Sequence, residues 1–321
     1  MKKVKFGILG CGQIAHRFAA ALLRAGDAEL TACAARDPER ARCFAASHGS
    51  IFACSSYEEL VRRPDVDAVY IATVHSAHAG NAELCIRAGK AVLCEKPFFT
   101  NADDAKRIIH LAQDKHILIM EGMWTRMLPA FIRCKQWIDS GKIGTPTLLR
   151  AAFCFSNPYQ ADSRLWKTET CGGAFFDVGI YPYEFAVGLL GEKPKSILPA
   201  VQYAPSGVDA TSAFIMLFES GAVAECLSSI NGYMEDDAVI SGTKGYIRMQ
   251  HFWRCRKAEL FRNNGELLDC FDDPEQEGFI HEIDHFVQMY RAGFMESMLV
   301  PLSDTLDFAE TADKILGKNK K

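Results

Sequence analysis

The segment Val4-Lys5-Phe6-Gly7-Ile8-Leu9-Gly10-Cys11-Gly12-Gln13-Ile14-Ala15 decides the fold. Val4 to Gly10 is an apolar run of strand length, and Ile14 to Ala25 has helical periodicity. The junction between them, Gly10-Cys11-Gly12-Gln13-Ile14-Ala15, has the G-x-G-x-x-[GA] form of a dinucleotide-binding turn in the context that form requires. Gly10 permits the tight turn, Gly12 lets backbone amides approach a pyrophosphate, and the small Ala15 lets helix pack on strand. The first helical turn, with Gln13 and Ile14, then presents its amides and dipole to the diphosphate.

Outward from this turn the pattern repeats. Leu30 to Ala35, Ala68 to Thr73, Ala91 to Cys94 and Leu118 to Glu121 are further strand candidates. Pro38 to His48, Ala77 to Ala88 and Ala102 to Lys115 read as helices between them. Ser56-Tyr57-Glu58-Glu59 has capping-box spacing, with the Ser56 hydroxyl facing the Glu59 amide and the carboxylate reaching back. The alternation predicts an α/β Rossmann domain, a doubly wound parallel sheet, over residues 1–122. After Gly141-Lys142-Ile143-Gly144 the pattern changes. Thr145 to Phe155, Ile197 to Val201, Ala210 to Phe218, Ala222 to Ile230, Ala238 to Gly242 and Tyr246 to Met249 read as strands joined by glycine-containing turns. Few helices interrupt 195–270, which predicts an α+β domain with a mainly antiparallel sheet over residues 123–321. Helices are expected over Phe279 to Arg291 and Leu302 to Leu316, and the Lys318-Asn319-Lys320-Lys321 end reads as solvated.

A chain of 321 residues suits two domains, and a net charge of −4 gives no electrostatic reason to expect nucleic acid. No run of about 18 apolar residues offers a membrane span. The start, Met1-Lys2-Lys3-Val4, breaks at Gly12 and Gln13 without a cleavage-like site, so no secretory signal is expected. The 12 cysteines are scattered without C-x-x-C spacing and read as reduced, buried small hydrophobes, which predicts a soluble cytoplasmic protein acting on a small molecule.

The second strand ends Ala32-Cys33-Ala34-Ala35-Arg36-Asp37, with Arg40 one helical turn on. A carboxylate at that strand end would accept ribose hydroxyls. Here Ala35 stands at the acidic position, and two guanidiniums that pair well with a phosphate follow, which predicts NADP over NAD. Two other readings stay open: Asp37 as the ribose-binding acid, and Arg36 and Arg40 as solvated helix charges.

Glu95-Lys96-Pro97 ends the next-to-last strand of the parallel sheet, at the carboxyl edge where such sheets bind ligands. A lysine there can hydrogen-bond a substrate oxygen and stabilise alkoxide character during hydride loss. Together with the glycine turn and Gly172-Gly173-Ala174-Phe175-Phe176-Asp177-Val178-Gly179-Ile180-Tyr181, the chain resembles the glucose-fructose oxidoreductase, inositol dehydrogenase and MocA family over nearly its whole length. Met120-Glu121-Gly122-Met123-Trp124-Thr125-Arg126 and Asp177-Val178-Gly179-Ile180-Tyr181-Pro182 are most similar to the dimeric dihydrodiol dehydrogenase branch, which includes NADP-linked D-xylose dehydrogenases. Many members carry His where this chain has Tyr181.

The resemblance implies a C-terminal open-faced sheet used for oligomerisation, a homodimer or higher homo-oligomer, and a Lys96-Pro97 peptide open to the cis form. It carries over Lys96, Asp177 and Tyr181 as the catalytic constellation. A phenol transfers protons well where an ammonium lowers its pKa, and an aspartate orients the lysine or the substrate hydroxyls. The resemblance also places Thr73, His75 and His78, with Glu95, Lys96 and Pro97, beside the cofactor. Trp124, Arg126 and Trp166 are read as pocket residues, against a core role for the tryptophans. Lys167 departs from the family's arginine.

His281-Glu282-Ile283-Asp284-His285 spells the zinc-protease signature H-E-x-x-H. Phe279, Ile280, Ile283, Phe286 and Val287 give that segment a packing face, and no third ligand follows, so no metal is expected. The sequence reading is therefore an NADP-dependent oxidoreductase acting on a sugar, polyol or dihydrodiol. The competing readings are a reductase of a ketone, imine or enone, and a non-catalytic NADP-binding sensor.

Overall fold

The computed structural model describes residues 2–275 and 277–317, so the lysine-rich end at 318–321 lies outside the described residues. In the first part of the chain, β1 (Val4–Leu9), α1 (Gln13–Arg24), β2 (Ala28–Ala34), α2 (Pro38–Ser47), β3 (Phe52–Cys54), α3 (Tyr57–Arg62), β4 (Ala68–Ile71), α4 (His78–Arg87), β5 (Ala91–Glu95), α5 (Ala102–Lys115) and β6 (Ile119–Gly122) alternate. The six strands pair in parallel in the order β3-β2-β1-β4-β5-β6. This is the doubly wound order, with its reversal beside β1, where the glycine turn lies. Strand β3 is absent from the sequence reading because three residues, Phe52-Ala53-Cys54, carry no measurable periodicity. At α3 the Ser56 hydroxyl accepts from the Glu59 amide at 3.1 Å as expected, but the Glu59 carboxylate reaches the Ser55 amide, 2.6 Å away, one residue earlier than a capping box requires.

The second sheet follows α6 (Pro129–Asp139) and contains β7 (Pro146–Ser156); α7 (Ile180–Leu190) comes before β8 (Ser196–Tyr203), β9 (Asp209–Leu217), β10 (Val223–Ser229), β11 (Asn231–Met234), β12 (Ala238–Gly242), β13 (Gly245–Met249), β14 (Lys257–Arg262) and β15 (Leu267–Asp272). Its order is β15-β14-β13-β12-β7-β10-β9-β8, with β11 on β7. All pairings are antiparallel except β7 with β10, so the sheet is mixed, though mainly antiparallel. Along β9, Ala210, Ser212, Phe214 and Met216 are buried while Ile215 is exposed. With α7 on its inner side, the sheet leaves Leu148, Leu198 and Ile215 on an open outer face.

The chain ends with α8 (Phe279–Ala292) and α9 (Leu302–Ile315). Phe279–Leu306 belongs to the same unit as the residues up to Gly122, and Met123–Gly278 forms the second unit with the residues from Asp307. The sequence reading, with 123–321 in one domain, contains no such return. Its cause is apolar: Phe279 and Phe286 of α8 bring their rings to 5.8 Å from Phe18 and 5.5 Å from Phe6, completing the core over α1 and β1. Among the described residues no helix is long and apolar enough to cross a membrane.

Candidate active site

In the first unit Gly10 has φ +93°, and a Cβ there would lie 2.7 Å from the Ala72 carbonyl oxygen, so the turn admits only glycine. A Cβ on Gly12 would meet nothing within 4 Å, which leaves that backbone open at the start of α1. Ala15 is buried against the sheet, and no side chain among the described residues caps the helix. The first-turn amides around Gln13 and Ile14 are thus free to receive an anion, and the turn fits a dinucleotide diphosphate.

Beyond β2, Ala35 is buried, while Arg36, Asp37 and Arg40 are exposed. The Asp37 carboxylate caps α2, accepting from the Glu39 amide at 3.0 Å. That bond engages one oxygen of the exposed carboxylate. Burial raises the Tyr57 phenol, with the Arg36 charge opposing. The Cys11 thiol is drawn down first by its hydrogen bond with Cys33 and, against burial, by the charge of Arg40. Arg40 thus acts on a thiol of the glycine turn, and Arg36 on a phenol of α3.

Lys96 is half-buried just past β5, and its peptide bond to Pro97 is cis. The residues around it are held by buried side chains. Tyr70 donates its hydroxyl to Glu95. His78 places Nδ1 2.8 Å from the Pro97 carbonyl and Nε2 3.1 Å from the Thr73 carbonyl. The Phe98 amide donates to Glu121 Oε1 at 2.7 Å, and Thr305 donates to the other oxygen at 2.8 Å. His78 is fully enclosed with both ring nitrogens on backbone, so it braces this edge and has no ring atom for a cofactor, a departure from its sequence assignment. His75 is also buried, beginning the turn His75–Ala77, and the Thr73 hydroxyl accepts from Asn81 at 3.0 Å.

Glu282 of the H-E-x-x-H segment is fully buried, and neither carboxyl oxygen has a hydrogen-bond partner among the described residues. Its Oε2 lies 3.5 Å from the place a Cβ on Gly122 would take. Burial, then the charge of Glu95, raises its pKa well above the carboxylate range, and burial raises Glu95 too. His285 instead meets the Ser297 hydroxyl at 2.8 Å. The segment thus directs its glutamate into the core, and among the described residues no group of three or more His, Cys, Asp or Glu side chains could hold a metal.

In the second unit the paired glycines have a steric origin. A Cβ on Gly172 would come 2.5 Å from the Leu165 carbonyl, and one on Gly173, at φ +111°, would come 2.1 Å from Asp209 Oδ1. Asp209, almost fully enclosed, accepts from the Phe175 amide at 2.6 Å and from Ser212 at 2.7 Å. It anchors the π-helical turn Phe175–Gly179, which runs directly into α7. Such turns recur at functional sites because they re-aim side chains.

From that turn Asp177 meets Arg164 at 3.0 Å, and Tyr181 follows in the first turn of α7. The Tyr181 ring lies 5.3 Å from Phe153 and 6.0 Å from Trp253. Trp253 stacks on Phe153 at 4.6 Å and on Trp124 at 5.9 Å, and its indole donates to Asp236 at 2.5 Å. Trp124 therefore joins an aromatic wall beside Tyr181. Arg126 does something different: it is buried in an ion pair with Glu184 at 2.8 Å, and Gly188 leaves room for its guanidinium. Trp166 is buried against Tyr159, and Lys167 pairs with the exposed Asp162. Sequence reasoning assigned no role to Glu121, Phe153, Arg164, Asp209 or Trp253. Only Glu121 carried a signal, an ionisable side chain closing an apolar strand.

The sheet order and the open glycine turn define a dinucleotide-binding protein of the Rossmann class. The chain belongs to the glucose-fructose oxidoreductase, inositol dehydrogenase and MocA family, an oxidoreductase family: residues 4–123 match its NAD-binding Rossmann fold and residues 131–248 its C-terminal domain. It is 32% identical to the trans-1,2-dihydrobenzene-1,2-diol dehydrogenase of Mus musculus, over 98% of this chain and 97% of that protein. The corresponding Homo sapiens enzyme is 31% identical, again over 98% and 97%. Among solved structures, a 3-ketoreductase from Actinomadura kijaniata in complex with NADP and TDP-benzene superposes with a TM-score of 0.86 at 25% identity, covering 98% of this chain and 97% of that one. An aldose-aldose oxidoreductase from Caulobacter crescentus shares the fold, with a TM-score of 0.89 at 23% identity over 100% and 99%.

Proposed function

We propose that this oxidoreductase uses NADP and moves hydride between the nicotinamide and a carbon bearing oxygen in a trans-dihydrodiol, sugar or polyol. The observation that carries the reading is the placement of Asp177 and Tyr181 on one continuous π-to-α turn, with the phenol against Phe153 and Trp253. Tyr181 exchanges the proton of the substrate hydroxyl, Asp177 orients that hydroxyl, and Lys96 stabilises negative charge on the substrate oxygen. The cofactor, when bound, supplies or accepts the hydride. Gly10, Gly12, Gln13, Ile14 and Ala15 hold its diphosphate, Thr73, His75, Glu95 and Pro97 line its nicotinamide end, and Arg36 and Arg40 take a 2′-phosphate that no carboxylate at Ala35 repels.

The flat aromatic wall favours a ring-bearing substrate, and the dehydrogenases of dihydrobenzene diols to which the chain is similar support the same class. The reverse direction, ketone reduction, finds its support in the ketoreductase of similar fold. The apolar outer face with Leu148, Leu198 and Ile215 supports a homodimer through the second sheet, and the free thiols support a reducing compartment, the cytoplasm.

The test is NADP reduction by a panel of trans-dihydrodiols, aldoses and inositols, with NADPH oxidation by the matching carbonyl compounds. Turnover with one of these classes is expected. Tight NADPH binding with no turnover on either panel would point to a sensor instead.

A further inference from the structure

We propose that Glu121 and His78 are positioning residues for Lys96, pinning the backbone on which its ammonium is carried. The inference rests on the catalytic assignment of Lys96. A lysine side chain has four rotatable bonds, so its ammonium is no better placed than the peptide that carries it. One residue on from Lys96, the Pro97–Phe98 peptide is held at both its carbonyl and its amide by buried side chains from two different elements. His78 of α4 holds the Pro97 carbonyl, and Glu121 of β6 holds the Phe98 amide.

Each contact is built to be rigid. Glu121 is almost fully enclosed, and its two oxygens receive separate donors, the Phe98 amide at 2.7 Å and the Thr305 hydroxyl at 2.8 Å. A carboxylate fixed at both oxygens cannot swing away from the amide it holds. His78 stands between two carbonyls, and burial pushes its pKa down to about 4, so the ring is neutral at working pH. A neutral imidazole has one N–H to give, and the shorter contact, 2.8 Å, assigns it to the Pro97 carbonyl over Thr73 at 3.1 Å. On the other flank Tyr70 holds Glu95. Residues 95, 97 and 98 are thereby fixed, and Lys96 is presented between them.

The experiment compares truncating and conservative variants, with kcat, KM for NADPH and the thermal midpoint measured for each. E121Q keeps an acceptor for the Phe98 amide, and H78N keeps a donor near the position of Nδ1. E121A and H78L keep neither. Expected are kcat losses on the order of ten- to hundredfold per folded protein in E121A and H78L, a KM for NADPH within about threefold of wild type, and recovery of most of kcat in E121Q and H78N. If E121A does not fold, T305V removes one of the two donors and is expected to lower kcat by about three- to tenfold.

Unchanged kcat in the truncating variants overturns the proposal, as does equal damage in the conservative ones. K96M separates the two layers. Full turnover in K96M refutes the catalytic assignment itself, whereas a dead K96M beside a fully active E121A refutes only the positioning.

Discussion

Arg164 Nη1 lies 3.0 Å from Asp177 Oδ1, which pairs a half-exposed guanidinium with a carboxylate that is almost completely enclosed. The arginine reaches it from the segment whose carbonyls press on Gly172, so that glycine and the ion pair are two consequences of one close approach. Because the arginine is exposed, solvent screens the pair, and its contribution is at most about 1 kcal/mol. R164M is expected to lower kcat/KM by about two- to fivefold, the kinetic equivalent of that energy, and R164K by less. Steady-state kinetics on one substrate decide it; no change would remove Arg164 from the orientation of Asp177.

The proposed preference for NADP rests on charge at the end of β2. Replacing Ala35 by Asp and Arg36 by Ile adds an acceptor for ribose hydroxyls and removes a phosphate partner. The ratio of kcat/KM for NADP over that for NAD should then fall by about ten- to hundredfold, the equivalent of losing one charge-assisted contact. A ratio unmoved in the double variant would mean that Arg36 does not read the phosphate.

Two buried groups, Asp209 and His78, make opposed contributions to stability in acid. Burial pushes Asp209 up to about 6 from 3.8, so its contribution to stability is present below pH 3.8 and lost as pH rises through 6. Burial pushes His78 down to about 4 from 6.5, so its contribution is present above pH 6.5 and lost as pH falls through 4. Each amounts to about 3 kcal/mol, and over the shared window the two slopes largely cancel. D209N, which keeps an acceptor for the Phe175 amide, should unmask the histidine slope. Denaturant unfolding at pH 4.5 and 7 should show it losing more stability on acidification than wild type by about 2 kcal/mol. An identical loss in both proteins would contradict the opposition.

The open sheet face gives a prediction about assembly. Leu148 is 60% exposed and Leu198 61%, on a face with Ile215 beside them. L148D places a charge in the middle of that apolar surface. Sedimentation should show a dimer for the parent chain and a monomer for the variant, with the circular dichroism spectrum unchanged; a dimer that survives L148D would lie elsewhere.

Much of this architecture was legible because it follows from period and punctuation. The glycine turn, α5 and β12 were readable within a residue or not displaced at all, since strong periodicity ended at clear breakers. The short β3 and the strands β14 and β15, with their charged outward positions, were not. Helix α8 was legible as a helix, but nothing local told which unit its phenylalanines complete. At the proposed site, the motifs single out Lys96, Asp177 and Tyr181. Asp209 was not, because a lone aspartate opening a strand looks like any turn residue until the chain folds it onto Gly173. Arg126 misled for the opposite reason: a basic residue next to Trp124 suggests a pocket, and only the buried Glu184 explains it.

The central claim is that Tyr181 and Lys96 perform chemistry on a substrate while cofactor binding is handled separately. The decisive measurement is turnover beside NADPH affinity, by fluorescence titration, in Y181F and K96M. Turnover should fall by at least about a hundredfold in each, with the dissociation constant for NADPH within about threefold of the parent. Parental turnover in either variant would contradict the account.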